Sequence, residues 1–481
     1  MKRSTVPQSA SMARTLFSQG LTFHQGGKLT EARASYRRIL KLIPNQPDAL
    51  HMLGVVEFQE KNFGKAVQLI SQATKFKNDS HLMHFNLGNA LRAAGKLEDA
   101  SNAFRAALVL SPNNLEALKN LGNTYKERNM MAEAISCYDQ ILDLDPSHAF
   151  TLYNKGIALL TLGELNDGWD LYEQRLRFDT SDRKHQNQPF PRFAPDWDGS
   201  PLDKPLLVLP EQGLGDQIFY AAMLADLQAN GVESFVCLDE RVQSLFGRSF
   251  PELDFVLQEE LTSIDSSKQL FGAQIQLASL GRIFRRSTED FSRIPSPYLA
   301  ANNELISILR KQQRQDTKFI CGLSWTSANA ETGSTKSIKL ADLHPLLNVD
   351  GTKFINLQYG DTSEELRRVR EQIGVDIVQV DGIDNKNDIN ELAALISACD
   401  IVITVSNSTA HLAAALGKPT LVFLPHHTPL WYWHLGSKTS PWYPTVTLLR
   451  QEIAGDWAKP INEAIDLLTN YIPATRKPSI Q

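Results

Sequence analysis

The first third of the chain repeats one pattern of small and large residues every 34 positions. One register holds glycines, a second holds alanines, and a large residue follows each alanine after four positions. Small residues on two adjacent amphipathic segments let two helices pack closely, so the pattern predicts stacked pairs of antiparallel helices. The registers are Gly20, Gly54, Gly88, Gly122 and Gly156; Ala32, Ala66, Ala100 and Ala134, with Gly168 in fifth place; and Tyr36, Ile70, Phe104, Tyr138 and Tyr172.

This spacing resembles the tetratricopeptide repeat, and Pro44, Pro112 and Pro146 end three of its units. Each helix pair covers its apolar face only by stacking on its neighbours. We therefore expect a right-handed α-solenoid with a concave face over residues 1–178. The fifth unit carries Gly168 and Trp169 where an alanine would stand, so we expect it to dock onto the next domain.

Asparagines also recur at this spacing, as Asn86, Asn120 and Asn154 on the first helix of successive repeats. An amide donates and accepts hydrogen bonds, so a column of amides can hold the backbone of an extended acceptor peptide. The arrangement is similar to the asparagine ladder of the O-linked N-acetylglucosamine transferase. Alternatively, the amides only bond neighbouring helices. Ser18 and Met52 interrupt the ladder in the first two repeats.

Beyond a polar, proline-rich linker at 179–204, short apolar runs alternate with amphipathic ones. This alternation is typical of parallel sheets with crossover helices. It predicts two α/β halves at 205–305 and 306–481, two Rossmann-like folds that face each other across a cleft. The predicted strands are 206–209, 234–238, 255–257, 274–277, 319–325, 354–357, 377–380, 401–405 and 420–424; clear helices are 363–373, 389–398 and 458–468.

Length, charge and cysteine spacing argue against several classes of protein. The 481 residues exceed one hydrophobic core, and the net charge of −5 argues against a general binder of nucleic acid or anionic membranes. Neither an apolar run of about 20 residues nor the apolar core of a signal peptide is present. Four scattered cysteines without ligand or redox spacing predict a reduced cytoplasmic protein. Asp196 and Asp198 mimic a metal-binding DxD element, but their flanking Pro195 and Gly199 favour a turn, so we expect no metal.

Two turns carry candidate chemistry. After strand 206–209 comes EQGLGDQ, in which Gly213 and Gly215 permit a tight turn and close backbone approach. Asp216 follows at the carboxyl end of the strand, where ligands of such folds bind. Alternatively, Asp216 is only the N-cap of the next helix.

The second turn follows strand 401–405, where Ser406, Asn407 and Ser408 lead into an alanine-rich helix. A helix N-terminus offers free N–H groups and the positive end of the helix dipole, and Ser408 and Thr409 add hydroxyls. The pattern predicts a phosphate or diphosphate site. Alternatively, these residues only cap a core helix.

The motifs in combination resemble a known family. Residues 211–217, 322–325, 357–358 and 409–419, Lys336 and the SPWYP segment at 440–444 are similar to those of bacterial tetratricopeptide proteins whose C-terminal part is related to heptosyltransferases of glycosyltransferase family nine. The resemblance covers 17–465. It implies the GT-B architecture, and flagellin glycosyltransferases with helical repeats are similar.

The resemblance implies residue roles. Asp216 would be the catalytic base that deprotonates the acceptor hydroxyl, as an inverting displacement requires. Lys336 would contact the donor phosphate. In heptosyltransferases an aspartate stands at the position of Ser406. Because of this difference, the resemblance does not identify the donor sugar. The implied donor-binding residues are Gly213, Gly215, Trp325, Lys336, Gln358, Asn407, Ser408, Thr409, Ala410 and His411.

Two features of the second half have alternatives. His411 would lie at the helix start that binds the donor diphosphate. Alternatively, it would be a histidine packed in the core. An aromatic-rich loop would stack on the base or sugar of the donor, or would cover the sheet edge. Its members are Trp431, Tyr432, Trp433, Trp442 and Tyr443.

We therefore expect an inverting, metal-independent glycosyltransferase without a cofactor. It would move a sugar from a nucleotide-sugar to a hydroxyl of a protein acceptor held by the repeats, flagellin being one candidate. One alternative is a non-catalytic adaptor or chaperone with a degenerate transferase domain. The other is a transferase that acts on a glycan or lipid acceptor.

Overall fold

The computed structural model describes residues 8–177, 192–211, 213–263, 269–314, 319–329, 333–427 and 430–472. The chain divides into two compact units. The first comprises Met1–Leu159 and Gln174–Arg177, and the second comprises Leu160–Glu173 and Phe178–Gln481. The last helix of the repeat pattern therefore belongs with the α/β region, whereas we expected the solenoid to extend to residue 178.

The repeat region is entirely helical. A side chain at the same place in three repeats caps the following helix: Gln46, Ser80 and Asn114 accept hydrogen bonds from the N–H groups of Ala49, Met83 and Ala117. The helices are α1 (Gln8–Gln25), α2 (Leu29–Leu42), α3 (Pro47–Gln59), α4 (Phe63–Phe76), α5 (His81–Ala93), α6 (Leu97–Leu110), α7 (Leu115–Glu127), α8 (Met131–Leu144), α9 (Ala149–Leu162) and α10 (Leu165–Tyr172).

The glycine register is explained by helix packing. A Cβ atom on Gly20 would lie 2.6 Å from the Tyr36 ring, and one on Gly122 would lie 2.7 Å from the Tyr138 ring. Ala32, Ala66, Ala100 and Ala134 are fully buried. Only small residues fit at these positions, so the predicted solenoid of helix pairs is confirmed.

The first half of the α/β region is built on a four-stranded parallel sheet in the order β3-β2-β1-β4. Its first strand is wholly apolar and fully buried, as expected of a central parallel strand. The strands are β1 (Leu206–Leu209), β2 (Ser234–Leu238), β3 (Asp254–Leu257) and β4 (Ala273–Gln276), and the helices are α11 (Leu214–Tyr220), α12 (Leu224–Ala229), α13 (Glu240–Ser249), α14 (Gln258–Ser263) and α15 (Gly281–Phe284).

The second half carries a seven-stranded sheet in the order β10-β11-β9-β8-β5-β6-β7, parallel except for the pair β10–β11. The strands are β5 (Phe319–Ser324), β6 (Thr352–Asn356), β7 (Ile377–Val378), β8 (Ile401–Val405), β9 (Thr420–Leu424), β10 (Thr439–Ser440) and β11 (Tyr443–Arg450). The helices are α16 (Asn303–Gln313), α17 (Gly333–Lys336), α18 (His344–Leu347), α19 (Ser363–Ile373), α20 (Ile389–Ala398), α21 (Ser408–Ala415) and α22 (Ala458–Tyr471). The expected boundary at 305–306 falls inside α16, which packs on α20.

The two halves meet at the helices that follow β1 and β8. Helix α11 packs against α21, and a Cβ atom on Gly215 would touch Ser408 at 3.6 Å. The connecting segment is tied to both helices, because the backbone N–H of Tyr298 donates to the carbonyl of Ala415 at 3.1 Å and its hydroxyl donates to the carbonyl of Ile218 at 2.9 Å. A solenoid followed by an α/β region consistent with a GT-B-like domain is thus confirmed.

Candidate active site

Asp216 lies at the junction of the two halves. Helix α11 begins after Gly213, and Asp216 is its third residue, so the alternative that Asp216 is the N-cap is wrong. Its carboxylate lies over Gly213, where a Cβ atom would be 2.8 Å from Oδ2. The φ of Gly213 is −97°, so close approach of this carboxylate, rather than a special backbone conformation, requires the glycine.

The Asp216 carboxylate is poised to accept a proton. Its side chain is solvent-exposed, yet surrounding protein atoms desolvate it. This desolvation and the charge of Glu211 raise its pKa to about 6, against the opposing effect of Lys336. A general base is most effective when its pKa lies near the working pH, and this value leaves Asp216 mostly ionised at neutral pH.

Lys336, at the end of α17, brings a cation to the same site from the second half. It is 5% exposed, and desolvation lowers its pKa while Asp216 opposes the change. In the described part of the chain, no ion pair joins Lys336 to a carboxylate within 4 Å. The ammonium and the Asp216 carboxylate therefore influence each other's pKa without a direct ion pair.

The start of α21 also faces this junction. Ser408 is partly exposed, whereas Thr409 and Ala410 are buried. The first N–H groups of a helix have no acceptor within it, so they point outward at Ser408 and Thr409. Ser408 is therefore the accessible residue at the start of α21, and the anion site predicted there stays a prediction.

Asn407 caps α21 instead of facing the cleft. Its Oδ1 accepts hydrogen bonds from the N–H of Ala410 and the hydroxyl of Thr404, both at 3.2 Å. Its Nδ2 donates to Ser324 Oγ at 2.8 Å and to the carbonyl of Thr326 at 3.0 Å. These four bonds use the capacity of the amide, so Asn407 holds the helix start in place.

Gln358 and Trp325 have similar internal roles. Gln358 Oε1 accepts hydrogen bonds from Ser324 Oγ and from the N–H groups of Trp325 and Thr326, each at 2.9 Å. The Trp325 indole N–H donates to Glu365 Oε2 at 2.9 Å. Both residues are at most 3% exposed, so they support the loop after β5 rather than contact a donor directly.

His411 has the surroundings of a core histidine. Its Nδ1 lies 3.0 Å from the Tyr443 hydroxyl, and its ring stacks on Trp433 with centroids 5.3 Å apart. Burial, aided by Lys336, lowers its pKa to about 3. The imidazole is therefore neutral at physiological pH and contributes no positive charge toward a diphosphate.

The aromatic loop of the second half packs on helix α11 of the first half. The ring of Phe219 on α11 lies 4.7 Å from Tyr432 and 4.5 Å from Trp442, measured between centroids. The Trp433 indole N–H donates to Ser406 Oγ at 2.8 Å, so the residue in place of the family's aspartate is tied to this cluster. All five aromatic residues of the loop are at most 9% exposed, which leaves no open face for a nucleobase among them.

A pocket of about 190 Å³ lies between the halves beside the start of α21. Leu214 and Ile218 line it from α11, and their helical spacing places Asp216 on the opposite side of that helix. Asn385, 8% exposed, also lines it, and its Oδ1 is buried without a hydrogen-bond partner among the described residues. The remaining lining residues are Arg241, Tyr359, Lys386, Ile389, Leu392, Ser408, Thr409 and Leu412. Sequence patterns did not predict this pocket, because its walls come from segments far apart in the chain.

In the solenoid, the predicted asparagines bond within the repeats. The Nδ2 of Asn86 lies 2.8 Å from His51 Nε2, that of Asn120 donates to Asn89 Oδ1 at 3.0 Å, and that of Asn154 donates to the carbonyl of Phe150 at 2.8 Å. Asn154 is only 3% exposed. These contacts favour the alternative in which the amides stabilise the helix stack.

The DxD-like segment forms a turn, because the backbone N–H of Ser200 donates to Asp198 Oδ1 at 2.9 Å. Across the described ranges, no group of three or more His, Cys, Asp or Glu residues is arranged to hold a metal ion. In the same ranges, no helix combines the length and apolarity that crossing a bilayer demands.

Known families match both parts of the chain. Tetratricopeptide repeat profiles match residues 17–81, 88–128 and 115–148. The profile of glycosyltransferase family 9 (heptosyltransferase) matches residues 359–453, which contain the start of α21. The chain joins tetratricopeptide repeats to a glycosyltransferase family 9 domain. This family 9 domain supports a glycosyltransferase-like role, and the repeats suggest protein–protein interaction.

Two curated proteins are similar in sequence. Protein FlbA of Caulobacter vibrioides is 31% identical over 345 residues, which cover 65% of this chain and 54% of FlbA. Tetratricopeptide repeat protein 8 of Caenorhabditis elegans is 31% identical over 101 residues, 21% of this chain and 20% of that protein. The chain thus spans about half the length of FlbA and a fifth of the second protein.

Solved structures are similar over part of the chain. The MamA protein is 18% identical, with a TM-score of 0.34, over 37% of this chain and 100% of MamA. PilF of Pseudomonas aeruginosa is 17% identical, with a TM-score of 0.33, over 46% of this chain and 87% of PilF.

Proposed function

We propose that this protein is an inverting glycosyltransferase of GT-B type that transfers a sugar from a nucleotide-sugar to a hydroxyl of a protein acceptor. The observation that carries the proposal is the junction of the two halves. There, a carboxylate of pKa about 6 on α11 lies next to Gly215, which approaches the start of α21 in the family 9 match, and the charge of Lys336 acts on that carboxylate.

The proposed reaction is a direct displacement. Asp216 takes the proton of the acceptor hydroxyl while that oxygen attacks the anomeric carbon of the donor sugar. The bond from this carbon to the phosphate oxygen breaks, and the nucleoside diphosphate leaves with inversion at the carbon. Lys336 and the N-terminal N–H groups of α21 stabilise the negative charge of the leaving group, so the mechanism requires no metal.

We place the nucleoside end of the donor in the pocket beside α21. Its walls are largely apolar, which suits a flat base, and Asn385 Oδ1 offers a buried acceptor for a base N–H or a ribose hydroxyl. Arg241 and Lys386 line the same pocket, and because Arg241 is paired with the Asp239 carboxylate at 2.7 Å, Lys386 supplies the net positive charge for a phosphate. The donor would then run past Ser408 toward Asp216.

Protein acceptors are supported by the repeats, since solenoids of this kind present extended surfaces to polypeptides. Flagellin remains the candidate acceptor. All four cysteines are buried free thiols, which supports a reducing, cytoplasmic compartment.

The test is a turnover assay on the purified chain with UDP-, GDP- and ADP-sugars. Release of nucleotide, retained in the presence of a chelator, is expected with at least one donor. Intact-mass analysis of flagellin incubated alongside should show an added sugar. Modification of a glycan or lipid but not of protein would instead identify a transferase for those acceptors. Absence of both turnover and calorimetric nucleotide binding would reject the enzyme in favour of an adaptor.

Gly213→Ala should impair catalysis without unfolding the protein. The new Cβ would meet Asp216 Oδ2 at 2.8 Å, and this carboxylate oxygen can swing away at little cost. Displacing the base should lower the turnover number roughly 10- to 100-fold. Gly247→Ala is the matched control, because its Cβ would meet nothing within 4 Å. Equal turnover by the two variants would show that catalysis does not depend on close approach of the Asp216 carboxylate to Gly213.

The fall of activity at low pH should follow the protonation of the Asp216 carboxylate. Activity needs the ionised carboxylate, so kcat/KM should fall below a pH near the pKa of about 6. Glu211 raises this pKa and Lys336 lowers it. Glu211→Gln should therefore move this fall to lower pH, and Lys336→Met should move it to higher pH, whatever their effect on maximal rate. Shifts in the same direction would contradict this assignment.

A further inference from the structure

Four helices of the first unit end on an exposed apolar residue. These helices, α2, α4, α6 and α8, are each the second helix of a repeat, and each has 14 residues. Their C-cap residues share one backbone conformation, with φ between −132° and −146° and ψ between 81° and 93°. Because the repeats stack in the same way, equivalent side chains project from one edge of the stack. The four apolar residues are 42–54% exposed and form a column: Leu42, Phe76, Leu110 and Leu144.

The residue before each member of this apolar column is also exposed, and its charge changes from repeat to repeat. Lys41 and Lys75 are basic, Val109 is apolar and 80% exposed, and Asp143 is acidic. Among the described residues, no oppositely charged side chain lies within 4 Å of the charged atoms of Lys41, Lys75 or Asp143. The apolar column therefore has a basic end, an apolar centre and an acidic end.

The acidic end is not explained by the helix that carries it. Lysines in the last turn, such as Lys41 and Lys75, suit the negative end of the helix dipole. Asp143 occupies the same place in α8, where that dipole disfavours a carboxylate. A cation from outside α8 would offset this cost, and the described residues of the chain supply none within ion-pair distance.

This arrangement is complementary to itself when two copies lie antiparallel. The basic end of each column then faces the acidic end of the other, whereas a parallel pair would bring like charges together. The two-fold axis falls between the second and third repeats, next to Phe76 and Val109. An apolar centre with charges at the rim is the usual anatomy of a specific protein–protein interface.

We propose that two copies of this chain associate through the apolar column as an antiparallel dimer with two-fold symmetry. Lys41 of each copy pairs with the partner's Asp143, and the apolar residues of the second and third repeats pack at the axis. Since the column is narrow, the interface is at the small end for a specific contact, and we expect a dissociation constant of about 10 µM. The inference does not depend on the proposed transferase activity.

Sedimentation velocity of the full-length protein from about 1 to 100 µM tests the proposal. Lys41→Glu and Asp143→Lys each put like charges together at both ends of the dimer, so each should raise the dissociation constant about tenfold. An equimolar mixture of the two variants should regain the native affinity. In the mixed dimer the two altered side chains attract each other, and the native Lys41 and Asp143 do the same.

Two further variants complete the design. Val109→Ser removes an apolar side chain from each copy at the axis and should also weaken association about tenfold. Lys96→Glu is the matched control for Lys41→Glu. Lys96 is exposed at the start of α6, at the other end of that helix from the apolar column, so its reversal should leave the native dissociation constant. Far-UV circular dichroism checks that each variant keeps its helices.

Three results would overturn the proposal. The first is a native protein that stays monomeric at the highest concentration. The second is a dimer that neither charge reversal weakens, and the third is a mixture that associates no better than its components. If a charge-reversal variant lost its helices, an unchanged dissociation constant in Val109→Ser would still reject the antiparallel contact. None of these measurements needs a sugar donor, so they remain decisive if the transferase assays fail.

Discussion

Asp216→Asn is expected to lower sugar transfer by about 10²- to 10⁴-fold, the range for loss of a general base. Asparagine keeps the size of the side chain but cannot take the acceptor proton. Removal of a negative charge near the donor diphosphate should leave nucleotide affinity equal or higher. Turnover measured with saturating donor, together with calorimetric binding of the nucleotide, separates these two effects.

The control for this experiment is Asp254→Asn, an exposed acid at the start of β3 in the same half. It should retain native turnover, because it lies at the amino end of the edge strand β3, whereas Asp216 follows the carboxyl end of β1 in the same parallel sheet. If Asp216→Asn stayed within tenfold of the native rate, Asp216 would not be the base, and the proposed displacement would need another proton acceptor.

Trp169→Ala should produce the largest loss of stability. The side chain is 0% exposed, and its ring lies edge-on to Trp431 with centroids 5.2 Å apart. Truncation of a buried tryptophan typically costs about 3–5 kcal/mol. The loss of the bond to the Arg285 carbonyl adds to this cost. The α/β unit should therefore unfold at a clearly lower denaturant concentration.

Tryptophan fluorescence can measure this effect selectively. All seven tryptophans lie at or after residue 169, so the signal reports the α/β unit and not the first unit. Leu162→Ala, 49% exposed at the end of α9, is the control and should change stability by no more than about 0.5 kcal/mol. Equal midpoints for the two variants would show that α10 is dispensable. A lower midpoint for Trp169→Ala would mean that a truncation at residue 178 removes part of the α/β unit.

Most elements of the fold were predictable from local patterns. Helices α19 and α20 and strands β8 and β9 have the predicted bounds, because each is a run of one periodicity that ends at a cap, glycine or proline. The 34-residue registers likewise determined the helix pairs of the solenoid, since close helix packing admits only small residues at the contact.

The roles of individual polar residues were less predictable. Asn407, Gln358 and Trp325 were predicted from their motifs to bind the donor. In the structure, their side chains make hydrogen bonds to other groups of the protein. A sequence motif shows which side chain stands at a position. It does not show whether that side chain bonds to a ligand or to a neighbouring loop, because both can be bound by the same amide or indole group.

The sequence by itself determined the two kinds of fold, the order of strands and helices and the candidate base Asp216. These depend on periodicity and on residue type at short range. Only the tertiary structure decided that α10 belongs with the α/β unit, that the aromatic loop packs on Phe219, and that a pocket lined by the buried Asn385 amide opens beside α21. The physical reason is that these features are contacts between segments tens to hundreds of residues apart, and burial and desolvation arise only when such segments meet.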